Sequence, residues 1–246
     1  MIARAAAPLL FAAAAALAAG CGGGGEPGRI RVATDATYPP FESVDSSGAI
    51  VGFDVDLVRA VAREAGLEVE VINQPFAGIL PGLQQGKYDA VVSCLTITPE
   101  RAREVDFTRP YYDAGQVVAV REGEESIRGL ADLKGRTIGV QMGTTGHEAA
   151  AKVEGATVKA FKEIELAYLE LLAGRADAVV NDEPPTRIYL KDHPGIRIAG
   201  PPFTEEKYGI AVRKGNADLL GKLDAGLAKV VASGEFARLK ERWIGK

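Results

Sequence analysis

The chain has 246 residues, of which 47% are hydrophobic and 25% charged, and its formal net charge is −4. This composition is typical of a globular protein and provides enough chain for one large or two modest domains. Because acidic and basic residues are interspersed without a basic stripe, we predict no nucleic-acid partner and no non-specific binding to anionic membranes.

The N-terminus reads as a targeting segment followed by a tether. Residues 5–19 form an apolar run rich in Ala and Leu, and small residues directly precede Cys21. This order predicts a lipoprotein signal peptide over residues 1–20, since the run is too short to favour a membrane span. Small residues before a cysteine resemble a bacterial lipobox, which predicts lipidation of the Cys21 thiol and anchoring to the membrane; ordinary secretion with an incidental cysteine is the alternative. The glycine-rich residues 21–28 predict a flexible tether.

The cysteine content fits an exported domain that folds without disulfides. Cys94 is the only other cysteine, so lipidation of Cys21 leaves it without an intramolecular partner. The roughly 220 remaining residues can supply a full-sized core. We interpret Cys94, which follows an apolar run, as a small, partly buried residue near a strand end. His147 and His193 have no metal-ligand spacing with it, and we predict neither a metal site nor another cofactor.

The rest of the chain alternates short β-rich runs with helical patterns. Strands are predicted at residues 29–34, 68–72, 88–93, 116–120, 136–141, 156–161 and 176–181. Helices are predicted at residues 54–65, 76–85, 145–153 and 163–173. The C-terminal tail is also helical, and its apolar face is predicted to contain Leu219, Leu220, Leu223, Leu227, Val230 and Val231. Strands that alternate with helices of this length are typical of βαβ units, so the predicted class is α/β with mainly parallel sheets.

A short motif occurs twice and indicates two similar lobes. Residues 86–93 (GKYDAVVS) match residues 174–181 (GRADAVVN), and each copy follows a predicted helix with a leucine at the same offset, Leu83 and Leu171. The string DAVV is simple, so coincidence is the alternative. The length of the match and its shared helical context favour two similar α/β lobes.

Polar side chains follow both copies of this motif. Hydroxyl groups and then Arg101 come after the first copy, and Asp182 comes after the second. Open α/β sheets bind ligands beyond the carboxyl ends of their strands. A guanidinium binds a carboxylate with two hydrogen bonds, so facing lobes would form a clamp for a zwitterion. The alternatives are that the charge-rich run around Arg101 is a solvated helix face and that Asp182 is a helix N-cap.

Several strings, taken in their order along the chain, resemble family 3 of the extracellular solute-binding proteins, the polar amino-acid receptors of ABC importers. The matching segments are residues 33–42, 51–57, 93–101, 143–145 and 176–183. Within that family, the chain is most similar to the glutamine-binding proteins and next to binders of basic amino acids. The resemblance implies a two-lobed periplasmic-binding-protein fold of type II, in which each lobe is a mainly parallel sheet flanked by helices.

The resemblance also implies how the chain is divided. Residues 29–115 together with residues 211–246 would form lobe 1, and residues 116–210 would form the inserted lobe 2. Two crossing strands, around residues 116–120 and 206–211, would be the hinge. Ligand would bind to lobe 1, and closure of lobe 2 would bury it. The implied partners are a free L-amino acid and the permease subunits of the importer, and the receptor is expected to be monomeric.

The same resemblance implies roles for individual residues. Arg101 would bind the α-carboxylate of the ligand with help from Thr96 and Thr145, and Asp182 would take the α-ammonium beside the Cys94 carbonyl and the Thr96 hydroxyl. Tyr38 and Phe76 would enclose the side chain, Asp35 would meet its polar atoms, and Gln141 and Asn181 would tune specificity. The expected ligand-binding residues are Asp35, Tyr38, Phe76, Ser93, Cys94, Thr96, Arg101, Gln141, Thr144, Thr145 and Asp182.

These roles have structural alternatives. Asp35 precedes a Tyr-Pro-Pro string and suits a turn, while Tyr38 and Phe76 suit a core. Gly-Thr-Thr before a helix could hold an anion, but alone it is a weak signal. An amide ligand would suit Asp35 and Gln141, and a guanidinium would suit Asp35 and Glu42; from the sequence we favour glutamine over arginine.

The alternative function is a periplasmic dehydratase of the cyclohexadienyl type on the same fold. Such an enzyme needs a carboxylic acid that donates a proton in the cleft, and Glu183 is the candidate that the sequence offers. A Ser-His-Asp or metal constellation is not apparent in the sequence. We therefore predict a binding protein rather than an enzyme.

Overall fold

A computed structural model describes residues 28–245. The predicted signal peptide, Cys21 and all but the last residue of the predicted tether lie outside the described residues. Between residues 28 and 245, no helix combines the length and the apolar character that a bilayer-spanning helix needs.

Short strands and helices alternate along the described chain. The strands are β1 Arg29–Thr34, β2 Thr37–Tyr38, β3 Glu42–Val44, β4 Ile50–Val51, β5 Glu68–Asn73, β6 Ala90–Val91, β7 Val105–Phe107, β8 Tyr112–Ala114, β9 Gln116–Arg121, β10 Thr137–Gln141, β11 Thr157–Phe161, β12 Ala178–Asp182, β13 Ile196–Ala199, β14 Glu206–Tyr208 and β15 Ala211–Arg213. The α-helices are α1 Phe53–Glu64, α2 Ile79–Gln84, α3 Pro99–Glu104, α4 Thr145–Ala151, α5 Ile164–Leu172, α6 Glu183–Asp192, α7 Ala217–Ala232 and α8 Glu235–Trp243. Single 3₁₀ turns occupy Phe76–Gly78 and Leu130–Leu133.

Two sheets form the centres of two lobes, which confirms the predicted two-lobed α/β class. The sheets are mixed rather than mainly parallel, since half of the strand pairings in each are antiparallel. The sheet of lobe 1 has the strand order β5-β1-β6-β15-β7, and β1 runs parallel to both β5 and β6. The sheet of lobe 2 has the order β11-β10-β12-β9-β13, and β10 runs parallel to both β11 and β12. In each sheet the remaining strands join antiparallel, β15 to β6 and β7, and β9 to β12 and β13.

The chain crosses between the sheets along an antiparallel ribbon. Strands β8 and β14 pair with Tyr112 opposite Tyr208, and β15 then returns to the sheet of lobe 1. The sequence analysis expected the first crossing strand around residues 116–120. Those residues instead form β9 inside the sheet of lobe 2, because their side chains alternate between two buried surfaces, and the crossing strand is β8.

The repeated motif has the same structure in both lobes. In one copy, the Asp89 carboxylate accepts the backbone N–H of Arg31 at 2.8 Å; in the other, the Asp177 carboxylate accepts the backbone N–H of Thr137 at 2.8 Å. The glycine that opens each copy has φ of 71°, the left-handed conformation that commonly ends a helix. The same hydrogen bond, from a backbone N–H to an Asp carboxylate, therefore stands just before β6 and before β12. These two strands carry side chains to the space between the lobes.

Helices α1 and α7 pack against each other in lobe 1. The predicted apolar face of α7 is buried at Leu219, Leu223 and Leu227, but Val231 is 52% exposed. Val231 lies one residue past the buried Val230, so it turns by about 100° toward solvent. The two helices approach closely at Gly226, which fits between them because it has no Cβ.

Candidate functional site

A cavity lies between the two lobes, at the carboxyl ends of their strands. Asp35 and Ser93 come just after β1 and β6, while Gln141 and Asp182 end β10 and β12. The residues expected to bind the ligand all line this cavity, together with Glu42, whereas Asn181, which was expected to tune specificity, is not part of the lining. The lining residues are Asp35, Tyr38, Glu42, Phe76, Ser93, Cys94, Thr96, Arg101, Gln141, Thr144, Thr145 and Asp182.

Hydrogen bonds join the lobes around this cavity. They run from the Tyr38 hydroxyl to Asn181 Oδ1 (2.7 Å), from Gln141 Nε2 to Asp35 Oδ2 (2.8 Å) and from Arg101 Nη2 to the Gly143 carbonyl (3.1 Å). Each bond has its donor on one lobe and its acceptor on the other. The structure therefore has the lobes closed on the cavity.

Arg101 is placed by the first turn of α3. The Thr98 hydroxyl caps this helix by accepting the backbone N–H of Arg101 at 3.1 Å. Although its neighbours in the run are exposed, Arg101 is only 8% exposed, and burial lowers its pKa. Nη1 donates to the Thr96 carbonyl at 2.9 Å, and Cζ lies 5.6 Å from the centroid of the Phe76 ring. The guanidinium group thus belongs to the cavity wall rather than to a solvated helix face.

Asp182 supplies an acidic group on the opposite lobe. It occupies the N-cap position of α6, but its side chain makes no capping bond. Its oxygens instead accept hydrogen bonds from the Tyr208 hydroxyl, at 2.6 Å, and from Gln116 Nε2. Burial, and next the charge of Glu206, raise the pKa of Asp182 to about 7. A cation in the cavity would favour the charged form of this group.

Glu183, the acid proposed for a dehydratase, is placed differently. It forms an ion pair with Arg187, one helical turn along α6. It borders a separate groove that also contains Tyr112 and Lys240. The Glu183 side chain therefore points away from the cavity. A carboxylic acid that donates a proton in this cleft would have to be another residue.

Two carboxyl groups lie together beneath the loop that carries Ser93 and Cys94. The Ser93 hydroxyl donates to Glu42 Oε1 at 3.0 Å, and Asp54 Oδ2 accepts the Cys94 N–H at 2.8 Å and the Tyr111 hydroxyl at 2.7 Å. Burial raises the pKa of both carboxyl groups, and the charge of Asp54 raises that of Glu42 further. A proton on Glu42 that is donated to Asp54 stabilises the pair. These bonds hold Cys94 with φ of 44°, which is uncommon for a residue other than glycine.

Glu42, Asp54 and Cys94 are also the one group between residues 28 and 245 with the spacing of metal ligands. Metal binding requires a thiolate and ionised carboxylates. Burial, followed by the charge of Glu42, raises the pKa of the Cys94 thiol well above its ordinary value. The pKa of Glu42 is raised as well, so the chemistry of this group favours protons over a metal ion.

Asp35 combines both of the roles that the sequence left open. Its Oδ1 accepts the Thr37 hydroxyl at 3.0 Å, which is a local turn contact. Its Oδ2 accepts the Phe76 backbone N–H at 3.1 Å and the bond from Gln141 across the cleft. Burial raises the pKa of Asp35. The carboxylate therefore supports the turn and borders the cavity.

The sequence analysis did not single out Gln116 or Glu206 as site residues. Glu206 Oε2 accepts hydrogen bonds from Thr96 Oγ1 at 2.8 Å and from Thr145 Oγ1 at 2.9 Å, and both threonines line the cavity. Gln116 Nε2 donates to Asp182 and, at 3.3 Å, to Glu206. Neither residue belongs to a recognisable motif, and only the crossing of the chain brings them to the site.

Comparisons with known proteins show what the whole chain is similar to. The sequence profile of the bacterial extracellular solute-binding proteins, family 3, matches residues 30–246. The chain is 37% identical over 223 residues to ABC transporter arginine-binding protein 1 of Escherichia coli (strain K12), which covers 88% of this chain and 90% of that protein.

Solved structures of amino-acid-binding proteins are also similar to this chain. An ancestral arginine-binding protein has structures bound to arginine and to glutamine. They are 44% identical to this chain with TM-scores of 0.85 and 0.82, and each match covers 89% of this chain and 99% of the other. An ancestral amino acid-binding protein, a precursor of cyclohexadienyl dehydratase, is 39% identical with a TM-score of 0.83 and covers 88% of this chain and 96% of its own.

Proposed function

The chain belongs to family 3 of the bacterial extracellular solute-binding proteins, and we propose that it is the receptor of an ABC importer for a polar L-amino acid. The observation that carries this proposal is the pair of opposite charges in one closed cavity, Arg101 from lobe 1 and Asp182 from lobe 2. A guanidinium can take an α-carboxylate with two hydrogen bonds. Asp182 would take the α-ammonium group, which would favour the ionised form of this buried carboxyl.

The other lining residues have matching roles in this proposal. The hydroxyls of Thr96 and Thr145, whose protons Glu206 accepts, meet the ammonium group together with the Cys94 carbonyl, rather than help Arg101 to bind the carboxylate. Tyr38 and Phe76 enclose the ligand side chain, and their aromatic surfaces suit the methylene groups of a long polar residue. The remaining lining residues, Ser93, Thr144, Gln141 and Asp35, contact the ligand or support those that do.

We propose arginine as the ligand ahead of glutamine, which the sequence alone favoured. Two buried carboxyl groups of raised pKa, Asp35 and Glu42, line the cavity. A guanidinium would favour their charged forms, whereas a neutral amide would leave the cost of desolvating a carboxylate uncompensated. The named relatives that bind arginine support this choice. Glutamine is the second candidate, because the ancestral arginine-binding protein also has a structure bound to glutamine.

A dehydratase is the alternative from another functional class, and the similarity to a dehydratase precursor supports it. In this chain the proton donor would have to be a lining carboxyl group of raised pKa, such as Asp182 with a pKa of about 7, since Glu183 lies outside the cavity lining. A binding protein is favoured because Arg101 and Asp182 together complement a zwitterion, which has both charges.

The parts of the chain outside the cavity complete the proposal. Residues 1–20 would be a lipoprotein signal peptide, Cys21 the lipid-anchored residue and residues 21–28 the tether that connects it to the folded part. Residues 29–115 with 211–246 would move as lobe 1 and residues 116–210 as lobe 2. The anchored receptor would act as a monomer and present its closed form to the permease subunits.

Thermal unfolding of residues 28–246 in the presence of each standard amino acid and a cyclohexadienyl acid tests the function. A ligand at about 100 times its dissociation constant stabilises the folded state by about 2.7 kcal/mol, which gives a clear shift in Tm. We expect a shift with arginine. A shift with glutamine alone would reverse the order of the two ligands, and a shift only with the cyclohexadienyl acid would favour the dehydratase.

A further inference from the structure

Glu206 lies behind the cavity rather than in its wall. It belongs to the crossing strand β14, and its Oε2 accepts a hydrogen bond from Thr96 of lobe 1 at 2.8 Å and from Thr145 of lobe 2 at 2.9 Å. Its other oxygen, Oε1, accepts the Thr204 hydroxyl at 3.1 Å. The carboxylate is therefore fixed by contacts on both of its oxygens, and one oxygen serves two hydroxyls that line the cavity.

These bonds determine what the two hydroxyls can offer a ligand. A threonine hydroxyl has one proton to donate and two lone pairs that accept. Because Thr96 and Thr145 both donate to Glu206, neither hydroxyl has a proton left for a ligand. Thr145 Oγ1 also accepts a hydrogen bond from Gln116 Nε2 at 3.0 Å, so Thr145 keeps one lone pair. Such a hydroxyl can accept a hydrogen bond from an ammonium group, but it cannot donate one to a carboxylate.

A second acidic group reinforces this end of the cavity. Gln116 Nε2 lies within hydrogen-bond distance of Asp182 Oδ1, of Thr145 Oγ1 at 3.0 Å and of Glu206 Oε2 at 3.3 Å, so its two protons serve a group that includes both carboxylates. Arg101, whose Nη1 donates to the Thr96 carbonyl at 2.9 Å, is the charged donor of the same cavity wall. Around Thr96 and Thr145 the cavity wall therefore presents side-chain acceptors, and Arg101 presents donors.

We propose that Glu206 is a specificity-determining residue that fixes this polarity, by taking the protons of Thr96 and Thr145 and so making their end of the cavity selective for an ammonium group. The inference rests on the proposed function, because it concerns the orientation of a bound amino acid. Glu206 acts through the two threonines without touching the ligand, so it is a positioning residue.

Isothermal titration of three ligands separates this role from a merely structural one. L-Arginine has both α-substituents, agmatine lacks the carboxylate, and 5-guanidinopentanoic acid lacks the ammonium group. In Glu206→Ala, we expect the affinity for arginine and agmatine to fall by about 10- to 100-fold, as for the loss of hydrogen bonds to a charged group. The affinity for 5-guanidinopentanoic acid should stay the same or rise, since the freed hydroxyl protons can then meet its carboxylate.

Two further variants sharpen the test. Glu205→Ala removes the neighbouring exposed carboxylate and should bind all three ligands like the wild type. Glu206→Gln keeps an oxygen that accepts the hydroxyl protons, so its preference for ammonium-bearing ligands should lie between those of the wild type and Glu206→Ala. Melting curves of each variant without ligand establish that it is folded.

The outcomes distinguish the inference from the function on which it rests. An equal loss of affinity for all three ligands in Glu206→Ala would mean that Glu206 only braces the lobes, and unchanged affinities would mean that it has no role; either result overturns the inference. A wild-type protein that binds no amino acid overturns the proposed function itself. If it binds glutamine but not arginine, glutamine and 4-carbamoylbutanoic acid provide the same comparison.

Discussion

The hydroxyl of Tyr38 in lobe 1 donates a hydrogen bond of 2.7 Å to Oδ1 of Asn181 in lobe 2. Asn181 is held in turn by its Nδ2, which donates to Thr186 Oγ1 at 3.2 Å. Both partners are buried beside the cavity, and separation of the lobes would break the bond. The bond therefore stabilises the closed arrangement specifically. It also favours the binding of any ligand that requires closure.

Replacement of Tyr38 by Phe removes this bond and keeps the aromatic ring. A single hydrogen bond contributes about 0.5–1.5 kcal/mol, so we expect ligand affinity in isothermal titration to fall by about 3- to 10-fold. Tyr189→Phe is a matched control, because the Tyr189 hydroxyl is buried without a hydrogen-bond partner among residues 28–245. Tyr189→Phe should bind like the wild type, and equal affinities in all three proteins would show that the Tyr38 bond does not contribute to closure.

Replacement of either charged residue of the proposed clamp should abolish tight binding. Arg101→Ala leaves the ligand carboxylate, and Asp182→Ala its ammonium group, buried without a partner, which costs about 3–5 kcal/mol. We expect a loss of affinity of more than 100-fold in each. Arg103→Ala is the control, since Arg103 lies in the same helix with its side chain 71% exposed. Near-normal affinity of both clamp variants would exclude the clamp.

The site could be predicted from the sequence because its residues follow directly on strands. Asp35, Ser93, Gln141 and Asp182 stand at strand ends whose positions the apolar runs already indicate. Parallel strands bring those ends to one edge of each sheet. The role of Glu206 has no such local signal, because it depends on two chain crossings that bring distant segments together.

Two elements differ from what the sequence analysis expected, and each difference has a physical reason. The sequence analysis considered helix α6 only as the helix that Asp182 would cap, and gave it no bounds. Pro184 and Pro185 occupy its first turn, where backbone N–H groups have no partner within the helix and proline is tolerated. The strand predicted over residues 88–93 is limited to Ala90–Val91, because Cys94 turns the chain toward the cavity and Asp54 holds its N–H.

The stability of the protein without ligand should decrease as pH rises from 5 to 8. The folded state raises the pKa of Asp54 to about 6 and that of Asp182 to about 7, from an ordinary value of 3.8. These groups bind protons in the folded state that the unfolded state releases, so their stabilising contribution is complete below about pH 4 and is lost as pH rises through 6 and 7. One pKa unit corresponds to about 1.4 kcal/mol, and we expect a loss of at least about 2 kcal/mol in urea unfolding.

The variant Asp182→Asn tests which group causes this pH dependence. It cannot ionise, so the difference in unfolding free energy between pH 5 and pH 8 should become smaller. Groups with a lowered pKa, such as Asp224 beside Arg109, titrate below this range and do not obscure the effect. A pH dependence as steep as that of the wild type would mean that Asp182 does not carry a raised pKa.

Two glycines of helix α7 should respond to alanine in opposite directions. A Cβ at Gly226 would lie 2.3 Å from the backbone carbonyl oxygen of Val61 in α1, so the two helices would have to move apart. Gly221, on the exposed side of the same helix, has open space around its Cβ position. Overpacking costs typically 1–3 kcal/mol, whereas alanine in place of an exposed helical glycine stabilises by about 0.5–1 kcal/mol.

We therefore expect urea unfolding to show a loss of about 2 kcal/mol in Gly226→Ala and a gain in Gly221→Ala. Both variants introduce the same methyl group and the same gain in helix propensity, so their difference isolates the contact between α1 and α7. Ligand affinity should be unchanged in both, because this contact lies within lobe 1 and outside the cavity lining. Equal stability of the two variants would mean that α1 and α7 separate at little cost, and that close packing at Gly226 does not stabilise lobe 1.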